Sequence, residues 1–108
     1  MDECVKQYLN QRVQVARPSR RRGGGDEQLE EPVELNAYFE SFQRREPTAT
    51  GFEFTTRHRV ITEEQIDRSK RIWLIGIDAL DKPGRKVLET EGIPDFTTGE
   101  IDHYETVV

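Results

Sequence analysis

Hydrophobic residues fall at every second position through much of this chain, the spacing of strands with one buried face. Arg12-Val13-Gln14-Val15-Ala16 alternates in this way and reads as a strand, with Val13 and Val15 facing inward. Pro18 ends it, because proline has no N–H to give to a sheet ladder. Val33 to Phe42 is the longest candidate strand: Val33, Leu35, Ala37 and Phe39 share one face, Tyr38 and Phe42 the other. Phe52 and Phe54 alternate with Glu53 in a third strand running towards Val60. The most apolar stretch is Arg71-Ile72-Trp73-Leu74-Ile75-Gly76-Ile77, the expected core strand, with Ile72, Trp73 and Leu74 buried on both faces. Asp81-Lys82-Pro83-Gly84 reads as a turn and Lys86–Glu89 as the strand returning from it. Glu100 to Val108 closes the chain as a strand with Tyr104, Thr106 and Val108 on one face.

Between these strands the pattern predicts loops and very little helix. Residues 17–32 hold three glycines, with Leu29 as the one apolar anchor, and read as a long mobile loop. Residues 43–51, around Pro47, read as a second long loop, and Ile93–Gly99 as a third. Asp2 is placed to cap a short helix over residues 2–10, with Val5, Tyr8 and Leu9 on one side. Thr62 and Gln65 have capping-box spacing, which predicts a helical turn over Glu63–Arg68. The expected fold is mainly β: a small SH3-like barrel of about six short strands with long loops and one or two short helical turns. Residues 1–11 are expected as an N-terminal arm or short helix, and 12–108 as a single barrel domain. The core and fold residues are Val13, Val15, Leu35, Phe39, Phe54, Ile72, Trp73, Leu74, Gly76 and Tyr104.

Composition makes that core thin. The 108 residues are 33% apolar and 34% charged, against roughly 45–50% and 25% in an average domain. Full strand content over a thin core points to stability completed by neighbours, or to segments ordered on assembly. Charge is unevenly spread within a net of −5. Arg17, Arg20, Arg21 and Arg22 cluster early, and Arg44, Arg45, Arg57, Arg59, Arg68, Lys70 and Arg71 fill the middle. From Glu89 onward there are six carboxylates and no Lys or Arg. Such an asymmetry suits docking of unlike surfaces. A single cysteine, Cys4, excludes an internal disulfide framework and fits a reducing compartment. No apolar run approaches the 18–20 residues of a membrane span, and Met-Asp-Glu-Cys does not open a signal peptide. The expectation is a protein made in the cytoplasm, without membrane contact.

No catalytic set emerges. His103 has Asp102 and Glu105 beside it, but alternation leaves only Glu105 on its face, too few ligands to fix a metal. His58 lies between Arg57 and Arg59, Cys4 has no activating neighbour, and Gly23-Gly24-Gly25 lacks the Lys-Ser/Thr of a phosphate loop. The chain is therefore read as a non-enzyme with no cofactor. The Arg20-Arg21-Arg22 cluster on its glycine-rich loop suits phosphates or an acidic partner surface, although Asp26, Glu27, Glu30 and Glu31 follow it.

The second half carries a resemblance. Ile66-Asp67…Arg71-Ile72-Trp73-Leu74…Gly76, then a strand, then Asp95…Thr98-Gly99…Asp102-His103-Tyr104-Glu105 resembles the C-terminal half of head-to-tail connector proteins of tailed bacteriophages, the stopper or head-completion proteins of the neck. The early strand ending in Arg-Pro, the long loop and the Val33-Glu34-Leu35-Asn36-Ala37 strand extend the likeness over roughly residues 12–108. Ser69-Lys70 separates the aspartate from Arg71-Ile72, where the family more often runs them together. The resemblance implies an SH3-like barrel in a six- or twelvefold homo-oligomeric ring. Its partners would be the portal or adaptor and the tail terminator or tail tube, with nonspecific contact to packaged DNA. Its place would be the virion neck. It makes Arg44 and Arg45, in the loop expected at 43–51, and Arg20, Arg21 and Arg22 the channel- or DNA-facing candidates. Two other readings remain: a small nucleic-acid-binding barrel module, and a protein-binding regulator of a host factor.

Overall fold

The computed structural model describes residues 7–20, 27–29 and 31–108. These residues form one seven-stranded antiparallel sheet and one small hairpin, with no helix among them. The strands are β1 (Gln11–Ala16), β2 (Pro18–Arg20), β3 (Glu27–Leu29), β4 (Val33–Thr48), β5 (Gly51–Thr62), β6 (Arg71–Leu74), β7 (Arg85–Lys86), β8 (Glu89–Pro94) and β9 (Ile101–Val107). The main sheet runs β7-β6-β1-β4-β5-β9-β8, and β2 pairs with β3 alone.

The mainly-β expectation holds, but the sheet is not closed into a barrel by hydrogen bonding. Its edges, β7 and β8, do not pair with each other. Yet only Val87 and Leu88 separate them in the chain. Three peptide steps of at most about 3.6 Å each bring the two edges together. The sheet must therefore curl through nearly a full turn. The packing agrees: Val13 and Val15 of β1, Ala37 and Phe39 of β4, Val60 of β5, Ile72 and Leu74 of β6, Val87 and Val108 form one cluster, with Leu35 packed against it. Cross-strand register explains which side chains these are. Val13 stands opposite both Leu35 and Leu74, Phe39 opposite Val60, and Val60 opposite Thr106, so one face of β1, β4, β5, β6 and β9 turns inward.

Trp73 packs apart from this cluster. It lies between Ile72 and Leu74, so it faces the opposite side of β6, and it is still only 1% exposed. The segment Asp78–Gly84 folds over that outer side. The indole Nε1 donates to the Lys82 carbonyl at 2.8 Å. A Cβ at Gly84 would lie 2.9 Å from the indole ring. Burial of the strand on both faces is thus achieved by a loop on one of them.

Several expected elements differ. Residues 43–51 are not a loop: β4 runs straight through Pro47 to Thr48, and the reversal is confined to Ala49-Thr50 with Gly51 at φ +139°. Proline is tolerated because neither β1 nor β9 reaches this far, leaving each outer strand edge free. Phe54 is not a core residue; it is 74% exposed, on the inward-facing side of β5 but beyond the point where other strands lie across it. Part of the loop expected over 17–32 is a short antiparallel hairpin, with Pro18 opposite Leu29 and Arg20 opposite Glu27. No helical turn forms at 63–68. Thr62 ends β5, and its hydroxyl donates to the Glu64 carbonyl at 2.5 Å instead of accepting a backbone N–H as a cap would. Strand β6 ends at Leu74, and Gly76 sits in the following turn at φ +92°. The strand expected over 86–89 is split at Val87-Leu88, where the chain crosses from one sheet edge to the other. Strand β8 continues to Pro94, shortening the loop expected over 93–99. The helix expected over 2–10 falls largely outside the described residues.

Candidate functional site

The β4–β5 hairpin is the feature that most departs from a minimal folded body. Twelve residue pairs hold it, from Ala37 opposite Thr62 to Thr48 opposite Gly51. Strand β9 pairs with Arg59–Thr62, Val108 extends that pairing to His58, and β1 flanks only Val33–Ala37. Beyond them a two-stranded ribbon projects for the seven residues of β5 from Gly51 to Arg57, roughly 23 Å at about 3.3 Å per residue. The radius of gyration, 15.7 Å, exceeds the roughly 13 Å of a compact chain of this length.

An isolated two-stranded ribbon is marginal in water. Here the outer face holds it with charges. Arg57 grips Glu46 through Nε at 2.8 Å and Nη2 at 2.6 Å. Its hydrogen bonds hold the Glu46 carboxyl below the usual carboxylate range, and Glu46 in turn raises Arg57. Arg44 reaches Glu89 at the start of β8 at 2.7 Å, tying the ribbon to the body. Arg59 contacts Glu40 at 3.5 Å and Glu105 at 3.9 Å, and stands 5.1 Å over the Phe42 ring. Surface pairs contribute about 0.2–1 kcal/mol each, so the network matters as a set that fixes the ribbon's direction.

The inner face of the ribbon is different. It continues the face that forms the core, and outward from Val60 it carries His58, then Gln43 bonded to Thr56 at 2.9 Å, then Arg45 opposite Phe54, then Pro47 opposite Phe52. Phe52 and Phe54 are 64% and 74% exposed. The Arg45 guanidinium lies 4.2 Å over the Phe52 ring and meets no carboxylate among the described residues. The ribbon thus presents two phenylalanines, a proline and a cation held by aromatic contact alone.

At the ribbon's base a polar cluster joins the curled sheet. Arg85 of β7 donates to both oxygens of Asp78, at 2.7 and 2.9 Å. Its Nη1 stands 3.3 Å from Nδ1 of buried His58 on β5. Asp78 Oδ2 also accepts from the Leu74 N–H at 3.0 Å. Arg85 at Nδ1 requires that nitrogen to accept, which places the imidazole proton on Nε2. Burial first, and then the Arg85 charge, push the His58 pKa down, while Asp78 pushes it up; the Arg85 hydrogen bonds hold Asp78 low. His58 also exchanges both backbone hydrogen bonds with Val108 at 3.0 Å. The cluster fastens β7 to β5 across the gap that strand pairing leaves open.

Of the sequence-identified cations, Arg44 is engaged by Glu89, and Arg45 lies on the opposite face of β4 beside the exposed aromatics. Arg20 lies in β2, which pairs with β3 and is not part of the main sheet, and Arg21 and Arg22 lie outside the described residues, as does Cys4. His103 and Asp102 do meet, Nδ1 to Oδ2 at 2.8 Å, although strand neighbours ordinarily face apart. Asp102 is skipped in the β8–β9 register, where Ile93 pairs with His103 and Pro94 with Ile101, and that bulge re-aims its side chain. Sequence reasoning missed Phe52 and Phe54 as surface groups, and Arg85 and Asp78 altogether. Their only local signal was an Asp and an Arg flanking the Pro-Gly turn.

A shallow cleft of about 280 Å³ lies between Leu9, Glu34, Leu35, Asn36, Thr62, Glu63 and Glu64. Its lining holds the carboxylates of Glu34, Glu63 and Glu64. Among the described residues no group of three His, Cys, Asp or Glu is placed to hold a metal ion, and no helix is long and apolar enough to cross a membrane. No family model, curated protein or solved structure matches the chain.

Proposed function

We propose that this chain is a structural, non-catalytic subunit of the neck of a tailed bacteriophage. In this reading it assembles as a six- or twelvefold ring between the portal or adaptor and the tail, and helps retain packaged DNA as a head-to-tail stopper. The reading rests on the sequence resemblance over Ile66–Gly76 and Asp95–Glu105. The observation that carries it beyond resemblance is the ribbon. A sheet face that packs a core at one end and projects roughly 23 Å into solvent with Phe52 and Phe54 bare is a candidate contact surface. It suits a subunit completed by neighbours. The finer reading of an SH3-like barrel is supported by the curl that brings β7 and β8 together and by the Arg85–His58 contact from β7 to β5.

The element proposed to face the channel is a braced ribbon in place of a loop. Arg45 is its available cation, since Arg44, Arg57 and Arg59 are engaged by Glu89, Glu46, Glu40 and Glu105. That engagement weighs against a nucleic-acid-binding module, which needs several free cations along a groove. The test is solution mass, measured alone and with a portal ring. A ring formed in either setting supports the reading. A 12.6 kDa monomer that persists in both refutes it.

A further inference from the structure

The ribbon's bare inner face has a counterpart on the same molecule. The β8–β9 turn, residues 95–100, is tied by its own hydrogen bonds: Asp95 N–H donates to the Glu100 carbonyl at 2.7 Å and Gly99 N–H to the Asp95 carbonyl at 2.8 Å. Asp95 Oδ1 also accepts from the N–H and hydroxyl of Thr97. Gly99, at φ +74°, supplies the reversal. This corner holds Phe96 fully exposed, at 101%, beside Ile101 at 50%. The turn's own charged residues, Asp95 and Glu100, are both acidic, and the sequence has no Lys or Arg after Lys86.

The two patches complement each other. One offers Phe52, Phe54 and a cation, Arg45, that meets no carboxylate among the described residues; the other offers Phe96, Ile101 and a carboxylate, Glu100, that meets no cation among them. They also lie at opposite ends of β5. The ribbon tip extends β5 past Arg59 towards Gly51, whereas β9, paired antiparallel to β5 with Thr62 opposite Tyr104, leads back through Ile101 to the corner beyond Thr62. One molecule cannot bring its own two patches together. Two molecules can, head to tail, and such a heterologous contact propagates into a closed ring or an open filament.

We infer that the β4–β5 ribbon of one copy docks on the Phe96 corner of a second copy of this chain, with Phe52 and Phe54 covering Phe96 and Ile101 and Arg45 meeting Glu100. The inference rests on the ring reading only in taking the partner to be a second copy. At roughly 200 Å² per phenylalanine, Phe52 and Phe54 expose about a third of the ~800 Å² that one partner gives to a standard interface. That is enough for the apolar centre of the contact, with the charged pair at its rim.

The test is cross-linking between single-cysteine chains in a Cys4→Ser background. Thr50→Cys and Thr98→Cys change exposed turn residues beside the two patches and leave Phe52, Phe54, Phe96 and Ile101 in place. Mixed, the two chains are expected to form a disulfide-linked dimer at least about tenfold faster than either alone, because proximity raises the local thiol concentration. Arg45→Glu is expected to weaken self-association by roughly tenfold, and adding Glu100→Arg to restore it. Equal cross-linking rates in the mixture and in the separate chains would overturn the docking. If light scattering of the wild type then still shows a ring, the ring reading stands on another interface. If it shows only monomer, docking is overturned and the ring reading passes to the portal measurement.

Discussion

Replacing Gly84 by alanine sets two effects of opposite sign against each other. Gly84 is not among the glycines at positive φ, so alanine fits the backbone there. A compatible Gly→Ala change ordinarily stabilises by about 0.4–1 kcal/mol, by narrowing the unfolded ensemble. Against this, the new Cβ would stand 2.8 Å from the Arg71 Cβ and 2.9 Å from both Cε2 and Cζ2 of Trp73. The Arg71 Cβ is fixed to strand β6, and the indole is pinned by burial and by its bond to the Lys82 carbonyl. Neither contact yields cheaply, and overpacking of this kind costs about 1–3 kcal/mol. The clash wins, leaving a net destabilisation of about 0.5–2 kcal/mol. In urea the midpoint is expected to fall by up to about 1 M at an unchanged slope. Trp73 is the chain's single tryptophan, so its fluorescence reports both the unfolding and the local displacement. Trp73→Phe removes the two indole atoms that clash and leaves the Arg71 contact, so Gly84→Ala is expected to cost less, though still something, in that background when followed by circular dichroism, a coupling between neighbours. A Gly84→Ala midpoint at or above that of the wild type would refute the account of how the 78–84 loop is seated.

Four further outcomes follow from the same packing. His58 has a folded pKa below its unfolded value, so the unfolded chain takes up its proton first. Its stabilisation is present above about pH 6.5 and is lost as pH falls below that. Denaturant midpoints at pH 7 and pH 5 are expected to differ in that direction, and His58→Gln to reduce the difference. Asp78 acts lower on the scale: its contribution holds above about pH 4 and disappears as pH falls through its depressed pKa, so Asp78→Asn should flatten the acid limb of the same curve. Thr106 is fully buried, and its hydroxyl finds no partner among the described residues. Thr106→Val, nearly the same shape, is expected to stabilise by about 1 kcal/mol in chemical denaturation; a loss of stability would show that the hydroxyl is satisfied. Arg57→Met removes the paired bonds to Glu46, and amides of residues 43–56 are expected to exchange several-fold faster while those of β1 and β6 do not change.

The sequence alone determined which residues alternate, and so which share a face. Val13 with Val15, Leu35 with Ala37 and Phe39, and Ile72 with Leu74 were legible as inward sets, and these are the residues that pack together. It also showed that the core would be thin and the final twenty residues acidic. Depth was not legible. Phe39 and Phe54 occupy the same side of one hairpin, yet one is 7% and the other 74% exposed. Period two assigns a side chain to a face; whether another strand lies across that face depends on pairings between distant segments. Pro47 read as a break because a proline disrupts a flanked strand, and the structure leaves that stretch unflanked. The Asp78–Arg85–His58 cluster depends on a curl that no local pattern encodes, since residues on β5 and β7 meet only when the sheet's two edges turn towards each other. Tertiary structure alone decided that the core face would run on, bare, along a ribbon, because a strand longer than its neighbours must leave part of its face uncovered.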